Sequence, residues 1–119
     1  MGVKVWRWGS KEWKDVDEGI RRKVVATVEG CMIAVYEIKK GAKVPMHNHP
    51  EMQMGVIIEG KGMFRTGGGD VTLVKGDSYS LDSGEYHEFE ALEDCIVVDL
   101  FIPAREDFKK EVKEPDLII

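Results

Sequence analysis

The chain's only three histidines fall in two places: His47-Asn48-His49, and His87 further along. In an extended strand alternate side chains share a face, so His47 and His49 can offer two imidazoles to one ion. His87 supplies a third at the start of another strand, after the glycine turn at Gly84. Three neutral imidazoles leave coordination positions open and suit one divalent ion, with Zn, Fe, Ni, Cu and Mn all compatible. Open positions belong to a centre that does chemistry or binds a ligand, because a purely structural ion is closed off.

Elements must then carry those side chains to one point. Thirteen glycines punctuate short runs rich in Val, Ile, Phe and Tyr, the pattern of many short antiparallel strands separated by turns. The fold class expected is therefore all-β, with strands near 23–28, 32–39, 53–59, 62–66, 71–74, 77–81, 85–91 and 95–102. Thr66-Gly-Gly-Gly-Asp70 reads as a hairpin turn, since glycine accepts the positive φ such turns require. Residues 1–18 hold Trp6, Trp8 and Trp13, expected to pack into the core. After Pro103 the stretch 104–112 has acids early and lysines late, which suits a short C-terminal helix.

At 119 residues the chain is expected to be one domain over 1–119, with a barrel core at about 20–103. The net charge is −5, and the 17 Lys and Arg are interleaved with 22 acids. A nucleic-acid partner is not expected, because phosphate binding draws on a clustered basic surface. No stretch reaches the apolar length of a membrane span, so no membrane partner is expected. Cys31 and Cys95 form no C-x-x-C pattern, and the N-terminus lacks the basic start and apolar run of a signal peptide. Reduced thiols in a cytoplasmic protein are the expectation.

Two strings sharpen the metal reading. Gly41-(x)5-His47-x-His49-(x)3-Gln53-(x)6-Gly60 resembles the first cupin motif, and Gly76-(x)5-Asp82-x-Gly84-(x)2-His87 resembles the second. Together they span the central half of the chain. The resemblance implies a double-stranded β-helix, a jelly-roll barrel with the metal in its mouth, and a ligand set of His47, His49, Gln53 and His87, with Glu51 in reserve. The chain departs from the pattern at Gln53, where cupins usually have Glu, at Asp82 for Pro, and at Ala91 for Asn. An amide ligand leaves the ion its full charge, favouring Lewis-acid polarisation of a hydroxyl or carbonyl over oxygen redox chemistry.

The last strand carries a further signal. Cys95-Ile-Val-Val-Asp99-Leu-Phe-Ile102 is apolar except for one carboxylate. Burying an unpaired charge is costly, so Asp99 is paired, wet, or placed for use in the cavity. Alternation sets Asp99 and Phe101 on one face, with Arg105 just beyond the strand. The tail Asp99-x-Phe101-x-Pro103-x-Arg105-Glu106-Asp107-Phe108 resembles the KdgF-type cupins of pectin degradation, as do Gln53 and Ala91-Leu-Glu-Asp94. That resemblance implies ring opening of 4,5-unsaturated uronates to 4-deoxy-5-keto uronates. It gives Asp99 and Arg105 catalytic roles, Arg105 the substrate carboxylate, and Phe101 the pocket; apart from the resemblance, Tyr86, Lys43, Arg65 and Lys75 are further candidates for its wall, Tyr86 as a substrate-binding residue. The plain structural reading makes Asp99 and Arg105 an ion pair that pins the tail. The competing functions are a metal-dependent dioxygenase-type cupin and a non-catalytic sugar-binding cupin. Exposed strand edges call for a homodimer, and the small-molecule partner expected is a sugar acid.

Overall fold

A strand with one wet and one dry face has to alternate, and residues Cys95–Ile102 do so: Cys95, Val97, Asp99 and Phe101 are buried while the residues between them reach the surface. The computed structural model describes residues 2–112 and 114–119. Among these the strands are β1 (Lys4–Val5), β2 (Lys14–Asp17), β3 (Ile20–Val28), β4 (Cys31–Ile38), β5 (Lys43–His47), β6 (Met52–Glu59), β7 (Lys61–Thr66), β8 (Gly69–Val74), β9 (Ser78–Leu81), β10 (His87–Ala91), β11 (Cys95–Ile102) and β12 (Leu117–Ile118). They form an antiparallel six-stranded sheet in the order β2-β3-β4-β11-β6-β9, facing a four-stranded sheet β5-β10-β7-β8. This is a jelly-roll β-sandwich, the all-β class expected.

The inner faces build two buried clusters. One, around Ile57, Phe64, Phe89 and Val97, packs between the sheets, with Phe64, Phe89 and Val97 also lining a cavity there. The other, Val24, Met32, Ala34 and Phe101 with Ala104 and Phe108, lies where the chain after β11 folds back. Tyr36 packs against both. The hairpin at Thr66 forms, with Thr66 opposite Gly69.

Three expectations need correction. β5 lies outside the expected strand runs and ends at His47 instead of continuing through His49; it tolerates Pro45 because it lies at a sheet edge, where a residue with no N–H costs no ladder bond. The expected helix over 104–112 is a 3-10 helix, Glu106–Glu111, held down by the single buried residue Phe108. The tryptophans do not join the core. Trp8 is 45% exposed, and half-buried Trp13 lies on the sheet surface beneath the Arg21 guanidinium at 4.5 Å and the Lys23 ammonium at 4.6 Å, an amphipathic ring facing cations. Beside it the two ends of the chain meet. β1 pairs with β12, and Asp116 accepts hydrogen bonds from the Arg7 N–H at 2.6 Å and the Lys11 ammonium at 2.8 Å.

Candidate metal centre and cavity

β5 ends at His47, directly opposite His87 at the start of β10. His49 lies beyond the strand, in the loop leading to β6. The two imidazoles therefore do not share one strand face, as alternation had implied; the loop brings His49 round. A hydrogen bond holds that loop: the Gly84 N–H donates to the His49 carbonyl at 2.9 Å. Gly84 can turn there because it adopts φ 78°, a conformation that glycine reaches without penalty. The rings stand 4.3 Å (His47–His87), 5.1 Å (His49–His87) and 5.7 Å (His47–His49) apart, centre to centre.

All three rings are oriented in the same way. Nδ1 of His47 bonds the Pro45 carbonyl at 2.8 Å, Nδ1 of His49 the Glu51 carbonyl at 3.0 Å, and Nδ1 of His87 the Glu85 carbonyl at 2.9 Å. A carbonyl only accepts, so each Nδ1 carries the proton and each neutral ring keeps its lone pair on Nε2. One ring nitrogen from each histidine lies within 4.8 Å of the others. The Gln53 amide oxygen faces His49 Nε2 at 2.9 Å, setting another lone pair against the first. Lone pairs aimed together repel unless a cation lies between them, and backbone carbonyls that fix the tautomer are the usual second shell of a metal site. The donor set thus fits one divalent ion. Desolvation pushes His87 down to about 4 and also lowers His49, so both are neutral and ready to ligate near pH 7.

Beside the donors lies a cavity of about 60 Å³ that opens to solvent. Asp99 stands inside it, 5% exposed. Its carboxylate accepts a hydrogen bond from the Tyr79 hydroxyl, and the nearby Gln53 amide also favours the charged form. Gln53 thus turns its oxygen to His49 and lies between the histidines and Asp99 on the cavity wall. With no cation against it, burial lifts Asp99 to about 6. At the mouth, the Arg105 guanidinium lies over the Phe108 ring at 4.1 Å and the Phe101 ring at 5.2 Å. Its Nε and Nη2 donate to Asp107 at 3.1 and 2.7 Å. Arg105 pairs with Asp107 and, at 4.0 Å, with Glu51, so the Asp99–Arg105 ion pair of the plain structural reading does not form. Phe101, 1% exposed, packs between this guanidinium and the edge of His49, 5.6 Å away.

His47, His49, Gln53, His87, Asp99, Phe101 and Arg105 therefore converge. Tyr86 does not: it is 59% exposed and outside the cavity wall. Lys43 is exposed on β5, Arg65 is paired with Glu88 at 3.0 Å and Glu90 at 2.8 Å, and Lys75 pairs with Glu59 at 3.0 Å. Glu51, the reserve ligand, reaches the Nδ1 side of His49 at 3.6 Å, behind the ring rather than among the converging lone pairs. Tyr36 and Tyr79 line the cavity and were not anticipated. The alternation Tyr79-Ser80-Leu81 on β9, with both hydrophobic residues inward, was the signal for Tyr79.

Comparison with known proteins agrees with this geometry. A cupin-domain family model matches residues 34–102. The pectin degradation protein KdgF of Dickeya dadantii is 29% identical over 98 residues, covering 81% of this chain and 89% of that protein. The solved structure of KdgF from Halomonas sp. superimposes with a TM-score of 0.82 at 31% identity, over 87% of this chain and 98% of that one. An RmlC-like cupin from Shewanella frigidimarina gives 0.83 at 27% identity, over 87% and 94%.

Proposed function

The chain belongs to the cupin family, and from that premise we propose that it is a metal-dependent enzyme that opens the ring of 4,5-unsaturated uronates, giving 4-deoxy-5-keto uronates. One observation carries the reading: a buried carboxylate with only neutral donors, Asp99, shares a cavity with the converging histidine lone pairs and opens toward Arg105. The similarity to two KdgF proteins supports the substrate class.

His47, His49, Gln53 and His87 would hold the ion, which when bound supplies a Lewis acid that polarises substrate oxygens. Arg105 keeps its other guanidinium edge for a uronate carboxylate, since Asp107 takes only Nε and Nη2. Phe101 backs Arg105 and limits the pocket beneath it. Asp99 moves protons. In this ring opening C4 gains a proton and C5 gains the oxygen of water, and the resulting hemiketal breaks its bond to the ring oxygen to leave the ketone. A carboxyl group at about 6 can give and take a proton near neutral pH. Dry walls from Tyr36, Phe64 and Phe101 keep bulk water from competing at those atoms.

The test is the ultraviolet absorbance of unsaturated galacturonate. Metal-loaded protein should remove it faster than the spontaneous reaction, and an unchanged rate overturns the reading. We also propose a homodimer, because β8 ends the four-stranded sheet with Val71 and Val74 51% and 47% exposed; a monomer by light scattering would refute it. Free Cys31 and Cys95 suit a reducing, cytoplasmic setting.

A further inference from the structure

Tyr79 is the cavity residue this chemistry leaves unused. On β9 it stands directly opposite Gly55 of β6, and Gly55 stands opposite Asp99 of β11, which is flanked on its other side by Ala34 of β4. One row across the sheet therefore reads Tyr79, Gly55, Asp99, Ala34. Tyr79 and Asp99 are two strands apart, roughly 10 Å at the backbone. Their side chains nevertheless meet, because the residue between them has none. A Cβ built on Gly55 would overlap both the Asp99 carboxylate oxygen and the Tyr79 hydroxyl. Gly55 has no positive φ, so its backbone does not require glycine; the space above it does. From the next inward position on β6, the Gln53 amide faces the same cavity and favours the charged form of that carboxylate. The Tyr79 hydroxyl, reaching along the row, is thus the hydrogen-bond donor that sets the direction of the Asp99 carboxylate within the cavity.

We propose that Tyr79 is a positioning residue for Asp99, and that position 55 is glycine so that the Tyr79 hydroxyl can reach the carboxylate across it. This rests on the uronate reading, in which Asp99 moves protons. Without that hydroxyl the carboxylate rotates, and misplacement of a reacting group by about 1 Å can slow turnover by roughly two orders of magnitude. Tyr79→Phe keeps the ring, which packs on Phe64 at 4.6 Å, and removes only the hydroxyl.

The experiment compares metal-loaded wild type, Tyr79→Phe, Gly55→Ala and the double variant on unsaturated galacturonate, with metal content measured on each. Tyr79→Phe should keep its metal and a KM within about twofold of wild type, while kcat falls roughly 10- to 100-fold. Gly55→Ala should lose kcat in the same way. The double variant should be no slower than the worse single one, because both changes remove one shared contact. An unchanged kcat in Tyr79→Phe, or a loss confined to KM, overturns the proposal. Losses that multiply in the double variant overturn the role given to Gly55. Should Gly55→Ala fail to fold, Tyr79→Phe alone decides the matter. Wild type that leaves unsaturated galacturonate untouched overturns the uronate reading and this role with it. Active wild type with an equally active Tyr79→Phe overturns this role alone.

Discussion

Asp99 between the sheets and Glu111 beneath the C-terminal fold-back are both withdrawn from water, and they end in opposite electrostatic states. Asp99 meets a phenol and an amide, and burial carries it up to about 6. Burial also pushes Glu111 upward, but the Arg22 guanidinium donates to both its oxygens, at 2.9 and 2.8 Å, and holds it below the usual glutamate range. Arg22 is itself buried and lies 3.8 Å over the Phe108 ring. Desolvation is common to the two sites, so the partner makes the difference. A cation turns a buried carboxylate into a fastener, whereas neutral donors leave it able to exchange a proton.

The largest expected effect breaks the Asp99 side of this comparison. Asp99→Asn keeps shape and can still accept from Tyr79, but it cannot carry a proton; turnover of unsaturated uronate should fall about 10²- to 10⁴-fold. Thermal stability should hold or rise, since a buried charge is removed. Steady-state rates beside a melting curve check both, and a variant that stays active or unfolds early would make Asp99 a fastener too. Glu111→Ala should do the reverse. It strands the buried Arg22 charge, and urea unfolding should show a loss of about 3 kcal/mol with turnover per folded molecule unchanged.

Acid should act through the same fastener. The folded-state pKa of Glu111 is depressed, so its contribution to stability is complete above the unfolded value of about 4.5 and is lost as pH falls through the lower folded value. Asp99, raised instead, contributes with the opposite sign. Urea midpoints of wild type and Glu111→Gln should therefore differ most near neutral pH and converge below about pH 4. A gap that stays constant with pH would mean that the pair contributes by packing rather than by charge.

Much of the site was legible because its signals are local. Histidines one residue apart, a glycine three residues before His87, and a lone acid in an apolar strand are all visible in a single pass. The all-β reading succeeded for the same reason, since β4, β6, β7 and β11 each alternate or run apolar within their own length. What stayed hidden depends on strands distant in sequence. Tyr79 reaches Asp99 only because β9 and β11 flank β6, and no spacing within β9 encodes that. Glu111 reads as one more exposed acid until the fold-back sets it on β3 opposite Arg22. Tyr86 adjoins His87 in sequence, but it precedes β10 in the turn and is exposed, a placement that proximity along the chain does not encode.

Asp107 sharpens the contrast from between the two extremes. Like Glu111 it faces a guanidinium with both oxygens, but its side chain is 58% exposed, against 10% for Glu111. Solvent screens such a pair, so Asp107→Ala should change stability by no more than about 0.5 kcal/mol. Arg105 would still rest on Phe101 and Phe108 and keep Glu51 4.0 Å from its Nε, yet Nε and Nη2 would lose the two hydrogen bonds that set their direction. With the guanidinium less well aimed, KM for unsaturated uronate should rise two- to threefold, roughly 0.5 kcal/mol, with kcat unchanged. A fall in KM would assign Asp107 a different role: it would be competing with the substrate carboxylate for Arg105, and the exposed pair would act as a gate rather than a guide.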